Sequence, residues 1–413
     1  MRCSIITIGT ELLIGQVIDT NSAYLGKVLN SLGVQVASRF TIDDNREDIL
    51  SALKRSLEDS DIVVTTGGLG PTKDDITKNV LAEFLEVSQY FDENQYELIQ
   101  KFFTKLGRTT TEAHKNQCFF PEGTEFIENK MGTAQGMLMR HKGKRIISMP
   151  GVPYEMKYIM EHGVLPMLAK EQEYYIHHRT IRTAGVGETH IAEKIAEIEN
   201  SLTNGFSLAY LPSLGSVRIR VSAKSKDRIN LDSSLDRIQN DITDILGDMV
   251  YGYGDDVLEI VIGKMLLERG LRLGLAESCT GGMIASKVVS ISGSSEYFEG
   301  GLVVYSNELK NQLLGVKSET LDGFGAVSEE VVKEMVAGTI ESLNVDIAIA
   351  VSGIAGPGGG TVDKPVGTIW ICVGSKNRQS THKLQLSKDR KKNIEYTSLF
   401  ALNFLRLFLL REE

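Results

Sequence analysis

Two segments in the C-terminal half of the sequence carry side chains that can perform hydrolysis. The first is the loop Ala276-Glu-Ser-Cys-Thr-Gly-Gly282, which lies where a predicted strand passes into a predicted helix. A hydroxyl held at such a turn can act as a nucleophile, and free N–H groups at the helix start can stabilise an oxyanion. We therefore predict Ser278 as the nucleophile and N–H groups near Thr280, Gly281 and Gly282 as the oxyanion hole. The competing interpretation is a capping serine followed by glycines for close packing, because the loop does not match the Gly-x-Ser-x-Gly elbow.

The second segment, Tyr305-Ser-Asn-Glu-Leu-Lys310, offers a base for this serine. A lysine accepts a proton once burial or a nearby cation lowers its pKa, and His382 is the only histidine after position 190. We expect Asn307 to cap a helix that has Lys310 in its first turn, where a cation is electrostatically unfavourable. Lys310 is thus the predicted base, and a solvated surface lysine is the alternative. Cys279 is interpreted as a buried thiol, although a thiol beside a helix start can also ionise.

A second glycine-rich loop and an arginine are candidates for binding a phosphate group. The loop Gly353-Ile-Ala-Gly-Pro-Gly-Gly-Gly360 follows a predicted strand, and backbone N–H groups in such a loop can approach a phosphate closely. Its candidate contacts are Gly353, Gly356 and Gly358. The loop has neither the Walker lysine nor a Gly-x-Gly-x-x-Gly pattern, so the fingerprints of triphosphate and dinucleotide sites are absent. Arg390, at the start of the last predicted helix, is either a phosphate clamp or a surface charge.

The N-terminal half has its own glycine-rich loop, Thr65-Thr-Gly-Gly-Leu-Gly-Pro-Thr-Lys-Asp-Asp75, between a predicted strand and a helix. Its glycines allow a phosphate to approach the backbone closely. The candidate phosphate contacts are Gly67, Gly68 and Gly70. Asp74 and Asp75 offer the oxygen ligands that a hard cation prefers.

A second acidic pair, Asp43 and Asp44, follows the neighbouring predicted strand. Loops at the carboxyl ends of parallel strands converge on one crevice, so we expect the two acidic pairs to meet at one metal site. The competing interpretation is that these aspartates are turn residues and helix caps. Further candidates near the end of the first strand are Glu11, Asp19 and Asn21.

Composition places the 413-residue chain among globular proteins of about two to three domains. Its apolar fraction of 42% is ordinary. With 45 Lys and Arg against 54 Asp and Glu, the net charge of −9 disfavours broad binding to nucleic acids or membrane surfaces. Four scattered cysteines are typical of a reducing compartment. The sequence has no apolar stretch of the ~18 residues that a membrane span needs and no signal peptide. We therefore expect a cytoplasmic protein.

Strand and helix signals alternate in both halves of the chain, which predicts parallel sheets with helices on both faces. The predicted fold class is α/β, with two three-layer α/β domains, residues 1–170 and 255–413, flanking a small α+β domain at 175–250. Residues 251–256 are interpreted as a linker or a domain edge. The histidines of this region have no metal-ligand spacing and are interpreted as solvated or core residues; they are His177, His178 and His190.

Several ordered motifs in residues 255–411 resemble the C-terminal domain of the CinA family, the nicotinamide mononucleotide (NMN) deamidases. The motifs are AESCTGG, GGLVVYSNELK, GAVSEE, SGIAGPGGG and KPVGTIW. The resemblance implies hydrolysis of the nicotinamide carboxamide to nicotinate mononucleotide and ammonia, without a cofactor. It makes Ser278 the nucleophile, Tyr305 and Lys310 its proton-transfer partners, and Arg390 a substrate-binding residue. The family has Gly-Asp-Arg before the final helix, whereas this chain has Lys388-Asp-Arg390.

Residues 1–170 resemble the molybdopterin-binding fold, in the version that is joined to CinA deamidase domains. The supporting stretches are GTELLIGQVIDTN, TGGLGPTKDD and MPGVPYEMK. The resemblance implies an ADP-ribose pyrophosphatase that depends on Mg²⁺, Mn²⁺ or Co²⁺, with functional aspartates at Asp44 and Asp75. The loop reads GGLG where molybdopterin enzymes have GGTG, which disfavours cofactor synthesis.

The expected protein is a bifunctional enzyme of pyridine-nucleotide salvage whose partners are small nucleotides, NMN and ADP-ribose. We expect a homodimer or a higher homo-oligomer and no direct contact with nucleic acid or membrane. One alternative is an N-terminal domain that only binds nucleotides. The other is an interaction protein of competence or DNA damage without enzymatic activity.

Overall fold

The computed structural model describes residues 1–72, 74–105, 107–171, 174–203 and 205–411. The chain is a mixed α/β protein that divides into two compact units. One unit comprises residues 1–177 with residues 223–232, and the other comprises residues 178–222 with residues 233–413. Within the described ranges, we find no helix with both the length and the apolar character that a membrane crossing requires.

Helices and strands alternate through the first 171 residues. The elements are β1 (Arg2–Ile8), α1 (Thr10–Leu13), α2 (Thr20–Ser31), β2 (Gln35–Ile42), α3 (Arg46–Asp59), β3 (Ile62–Thr66), α4 (Thr77–Leu85), β4 (Gln89–Phe91), α5 (Glu93–Lys105), α6 (Glu112–Asn116), β5 (Phe119–Pro121), β6 (Glu125–Ile127), β7 (Gly136–His141), β8 (Lys144–Met149), α7 (Pro153–Ile159), a π-helical segment (Met160–Val164) and α8 (Leu165–Ala169).

The sheet of this unit has the strand order β2-β1-β3-β8-β7-β6. β2, β1, β3 and β8 run parallel, as the alternation predicts, whereas β7 and β6 pair antiparallel at one edge. The difference has a simple cause, because the two residues between β7 and β8 can join only antiparallel strands. The carboxyl ends of the parallel strands, at Ile8, Ile42, Thr66 and Met149, lie along one edge of the sheet and carry the predicted site loops.

The parallel strands are buried on both faces, as β3 illustrates. All of Ile62–Thr66 is buried, which explains why this strand reads as a continuous apolar run rather than an alternating one. Val63 packs in the cluster on one face of the sheet, and Val64 packs in the cluster on the other face. The helices therefore cover both faces and leave the carboxyl edge for the loops.

The middle segment contains β9 (Tyr175–Ala184), α9 (Glu188–Ser201), β10 (Phe206–Ser213), β11 (Ser216–Ser225), α10 (Arg228–Leu246), a 3₁₀ turn (Gly247–Met249) and β12 (Val250–Tyr253). Its sheet has the order β10-β11-β9-β12. The prediction of a linker at 251–256 is wrong for its first residues, since β12 pairs antiparallel with β9. The glycine at position 252 weakens the local strand signal, and pairing with β9 overrides it. His177 and His178 bond Asp232 and Ser222, each at 2.8 Å, and His190 is exposed.

The C-terminal segment contains α11 (Leu258–Arg269), β13 (Leu273–Glu277), α12 (Met283–Val289), a 3₁₀ turn (Ser294–Glu296), β14 (Phe298–Val303), α13 (Asn307–Leu314), α14 (Ser318–Phe324), α15 (Glu329–Leu343), β15 (Ile347–Gly353), β16 (Thr368–Ser375), β17 (Gln379–Gln385) and α16 (Arg390–Leu410). The sheet order is β14-β13-β15-β16-β17. β14, β13 and β15 are parallel, whereas β16 and β17 are antiparallel additions that follow β15. The N-cap of α13 is Ser306, not the expected Asn307, because the Ser306 hydroxyl accepts from the Leu309 N–H at 3.2 Å.

Candidate active sites

The loop between β13 and α12 holds Ser278 at the carboxyl end of the sheet. Ser278 is 7% exposed. The preceding residue, Glu277, is buried, and its carboxylate accepts hydrogen bonds from three N–H groups at the start of α12. The donors are Gly282 at 3.0 Å, Ile284 at 3.1 Å and Ala285 at 2.8 Å. Glu277 therefore satisfies the helix N-terminus and fixes the turn that carries Ser278.

These contacts determine which N–H groups of the turn remain for a substrate. The Gly282 N–H donates to Glu277, and the Gly281 N–H donates to the Ser278 carbonyl at 3.2 Å. The N–H groups of Cys279 and Thr280 have no oxygen acceptor among the described residues. Of the N–H groups in this turn, those of Cys279 and Thr280 are therefore the candidates for donating to an oxyanion, and those of the predicted Gly281 and Gly282 are not. Gly281 and Gly282 instead allow the chain to turn, with φ values of +63° and +95°.

Lys310 lies beside Ser278 and is buried. Its Nζ is 3.2 Å from the Ser278 Oγ, and it donates to the carbonyls of Val304 at 2.9 Å and Tyr305 at 3.3 Å. The side chain is 1% exposed, so the alternative of a surface lysine is wrong. Burial lowers the pKa of Lys310, and no carboxylate in the described part of the chain forms an ion pair with it. The neighbouring Cys279 is also buried, and burial raises the pKa of its thiol to about 12.

Arg390 connects two other predicted site segments. Its guanidinium donates to the Gly356 carbonyl at 2.9 Å and lies 3.4 Å from the Tyr305 hydroxyl. Tyr305 is 62% exposed, and its carbonyl is one of the acceptors of Lys310. The structure thus brings Arg390, Tyr305 and Gly356 to the same end of the sheet as Ser278 and Lys310. Lys388 in place of the family's glycine does not prevent this arrangement.

The three candidate glycines of the 353–360 loop have different surroundings. A Cβ at Gly353 would lie 2.5 Å from Ile369, and one at Gly356, with φ +93°, would lie 2.6 Å from Val366. A Cβ at Gly358 would meet nothing within 4 Å. Gly353 and Gly356 are therefore needed for the packing of the loop itself, and Gly358 faces open space.

The N-terminal loops enclose a second candidate site, a pocket of about 350 Å³ at the carboxyl edge of the sheet. It brings together most of the residues predicted from the sequence. Those that line it are Glu11, Asp44, Gly67, Gly68, Gly70, Asp74 and Asp75. Asp19 and Asn21 line a smaller neighbouring cavity of about 120 Å³. There Asn21 donates to the carbonyl of Gly151 at 2.8 Å, and Asp19 caps α2.

The aspartates of this pocket are held by local hydrogen bonds. Asp75 accepts from the N–H of Thr72 at 2.9 Å and from its hydroxyl, and Asp44 accepts from the Thr10 hydroxyl at 2.7 Å. Asp43 also bonds Thr10. Across the described ranges, no three histidine, cysteine or acidic side chains form a group that could hold a metal ion. These side chains therefore do not form a preassembled metal cage.

Comparison with known proteins identifies the parts of the chain. Residues 4–170 match the model of a probable molybdopterin binding domain, residues 178–252 match the damage-inducible protein CinA KH domain, and residues 255–409 match the CinA C-terminal domain. A CinA-like protein of Chloroherpeton thalassium is 41% identical over 99% of both chains. The chain belongs to the CinA family. A putative competence-damage inducible protein of Caldicellulosiruptor saccharolyticus is 39% identical over 98% of both chains. Among solved structures, the competence/damage inducible protein CihA of Agrobacterium tumefaciens is 37% identical, covering 37% of this chain and 94% of that one, with a TM-score of 0.36.

Two acidic residues of this CinA-family chain lie at the candidate sites but were not predicted from the sequence. Glu277 precedes the nucleophile candidate in the motif AESCTGG, and only the fold shows that its carboxylate caps α12. Glu155 lies in the motif MPGVPYEMK and lines the N-terminal pocket. Glu155 could have been predicted from its position just after β8. Because β3 and β8 are adjacent parallel strands, the loop after β8 lies at the same edge of the sheet as the glycine-rich loop after β3.

Proposed function

We propose that the C-terminal site hydrolyses the carboxamide of NMN to nicotinate mononucleotide and ammonia. The observation that carries the proposal is the Nζ of Lys310, buried 3.2 Å from the Ser278 Oγ and bonded otherwise to backbone carbonyls alone. A neutral amine in this position donates two hydrogens to the carbonyls of Val304 and Tyr305. Its lone pair then faces the serine hydroxyl, which is the arrangement a general base requires.

The reaction follows from these contacts. Lys310 takes the proton of Ser278 as the Oγ attacks the carboxamide carbon, and the N–H groups of Cys279 and Thr280 stabilise the oxyanion. The C–N bond breaks, and Lys310 returns the proton to the departing nitrogen, which leaves as ammonia. A water molecule then hydrolyses the acyl ester and releases the acid, again with Lys310 as the base.

The phosphate of NMN has a suitable partner in Arg390, which is always charged and presents several N–H donors. Its guanidinium is anchored by the Gly356 carbonyl and reaches towards the exposed Tyr305. In this proposal Arg390 binds the phosphate and Tyr305 assists proton transfer, while Gly358 leaves room for the ligand beside the loop.

The test is ammonia release from NMN by the full chain in EDTA, compared with Ser278→Ala and with Ser290→Ala as the matched control. Ser290 is an exposed serine at the end of α12. We expect wild type and Ser290→Ala to release ammonia and Ser278→Ala to release none. No release by any of the three folded proteins would overturn the proposal and favour the interaction-protein alternative.

For the N-terminal site we propose a second activity, the hydrolysis of ADP-ribose to AMP and ribose 5-phosphate. The supporting observation is the pocket of about 350 Å³, which glycines and carboxylates line at the edge where parallel strands end. The acidic wall would repel a pyrophosphate unless cations accompany it, so the substrate is expected to enter as a complex with Mg²⁺, Mn²⁺ or Co²⁺.

The test is AMP formation from ADP-ribose by wild type and Asp75→Ala, with each of the three metal ions. Turnover by wild type and its loss in Asp75→Ala support the proposal. Binding of ADP-ribose without turnover would favour a domain that only binds nucleotides. Filter binding of DNA at several salt concentrations tests the interaction-protein alternative, for which the affinity should fall steeply with salt.

A further inference from the structure

The carboxylate of Glu155 is a group in the N-terminal pocket to which neither the sequence nor the family match assigns a role. Glu155 stands in the first turn of α7, directly after the turn that ends β8, and is 8% exposed. It lines the same pocket as Asp44, Asp74 and Asp75. A carboxylate that is nine-tenths buried in a pocket wall requires a specific reason to be there.

Glu155 is held from one side only. Its Oε2 accepts a hydrogen bond from the Asn129 Nδ2 at 2.7 Å, and Asn129 is itself fixed by the Ala134 carbonyl and by the side chain of Gln135, each at 2.8 Å. The Oε1 has no hydrogen-bond donor within the ranges that the structure describes. The Oε1 is therefore the oxygen of this pocket-lining carboxylate that is available to accept a hydrogen bond from a ligand or water.

The loop across from Glu155 leaves space for this carboxylate. A Cβ at Gly132 would lie 2.1 Å from the Oε2 and 2.6 Å from the Oε1, so any larger residue at 132 would displace it. Burial raises the pKa of Glu155, and the bond from Asn129 opposes that shift. A carboxylate with a raised pKa is a stronger proton acceptor than a carboxylate at its usual pKa.

We propose that Glu155 is the general base of the N-terminal site and activates the water that attacks the pyrophosphate. The inference rests on the proposed ADP-ribose pyrophosphatase function. In the step, the water oxygen forms a bond to one phosphorus while the bridging P–O bond breaks, and the bridging oxygen leaves with the electron pair on the departing phosphate. The water proton passes to the Oε1 of Glu155, and the products are AMP and ribose 5-phosphate.

A purely structural role for Glu155, as an anchor of the 129–135 loop, makes a different prediction for Glu155→Gln. The glutamine can still accept from Asn129 through its carbonyl oxygen, while its NH₂ group replaces the basic Oε1. The substitution therefore keeps the loop anchor and removes the base. Glu58→Gln is the matched control, because Glu58 is exposed on α3.

The experiment uses the full chain with Mg²⁺ and measures AMP formation, ADP-ribose binding by equilibrium dialysis, and NMN deamidation. We expect Glu155→Gln to lose about 10²–10⁴-fold in kcat, to bind ADP-ribose within a few-fold of wild type, and to deamidate NMN normally. In Glu155→Ala, added formate should restore part of the turnover, because it supplies a carboxylate to the vacated space.

Three results would overturn the assignment. The first is a kcat of Glu155→Gln within twofold of the wild-type kcat. The second is a loss of ADP-ribose affinity in Glu155→Gln as large as its loss of kcat, which would indicate a binding or structural role. The third is a rate of AMP formation by Glu155→Ala that does not increase when formate is added. If wild type forms no AMP with any of the three metal ions, the proposed pyrophosphatase function is refuted, and the inference that rests on it fails with it.

Discussion

Replacing Lys310 with methionine removes the amine beside Ser278 and nearly preserves the volume of the buried side chain. In the wild-type chain the Nζ lies 3.2 Å from the Ser278 Oγ and donates to two backbone carbonyls. No other side chain in the described ranges is hydrogen-bonded to the Ser278 hydroxyl. We therefore expect Lys310→Met to fold and to lose NMN deamidation.

The size of the effect follows from the contacts. Loss of a positioned general base slows a reaction by about 10²–10⁴-fold, which corresponds to a rise of about 3–5 kcal/mol in the activation barrier. The carbonyls of Val304 and Tyr305 each lose a donor, which costs about 1 kcal/mol apiece. Methionine does not incur the desolvation that a buried amine does, so we expect the free energy of unfolding to change by less than about 2 kcal/mol.

The assay is the initial rate of ammonia release at saturating NMN, with thermal unfolding measured on the same samples. Lys264→Met is the control, since Lys264 is an exposed lysine on α11. A folded Lys310→Met protein with a kcat within threefold of wild type would refute the role of Lys310 as the base.

The pH dependence of the same group has a defined sign. Burial lowers the pKa of Lys310 below its usual value of 10.5, and the neutral amine is the reactive form, so kcat should rise with pH through the lowered pKa. The unfolded chain binds this proton more tightly than the folded chain. The free energy of unfolding should therefore also rise with pH between the lowered pKa and 10.5, and both effects should vanish in Lys310→Met.

Four further substitutions test the surroundings of the C-terminal site. Arg390→Ala should raise the KM for NMN by about 30–100-fold through loss of a charge-assisted bond, with a smaller change in kcat; an unchanged KM in steady-state kinetics would contradict phosphate binding. Glu277→Gln should lower the free energy of unfolding in urea by about 2–3 kcal/mol, because α12 loses the charged acceptor of its N–H groups, and equal stability would argue against the cap. Gly356→Ala should destabilise by at least about 1 kcal/mol because of its positive φ and the close Val366, whereas Gly358→Ala should be neutral in the same denaturation.

The sequence predicts the C-terminal elements well because their signals are local. The periodicity of 328–343 and the apolar run 346–352 correspond to α15 (Glu329–Leu343) and β15 (Ile347–Gly353). The seven-residue helix α14 (Ser318–Phe324) is too short to show a clear period. β12 contains a glycine and becomes a strand only through pairing with β9, which no local pattern encodes.

The site residues also differ in how far local sequence patterns predict them. Ser278 and Lys310 stand in recognisable loops, but only the fold determines that Lys310 is buried and that its neighbours are carbonyls rather than carboxylates. Glu155 depends on the Asn129 loop, 26 residues earlier in the chain, and local reasoning has no way to place one against the other. The type of a site residue can therefore be predicted from a local motif, whereas its burial and its partners from distant parts of the chain cannot.

The two candidate sites differ in their charged groups, and this difference predicts how the activity proposed for each site responds to a metal chelator. At the C-terminal site burial destabilises the cation of Lys310, and the deamidation proposed there has no step that involves a metal ion. The N-terminal pocket is lined by acids, and its described lining residues include no lysine, arginine or histidine. A pyrophosphate can enter such a pocket only with cations that offset the repulsion. EDTA should therefore abolish AMP formation from ADP-ribose while leaving ammonia release from NMN unchanged in the same sample, and a parallel loss of both activities would contradict two chemically separate sites.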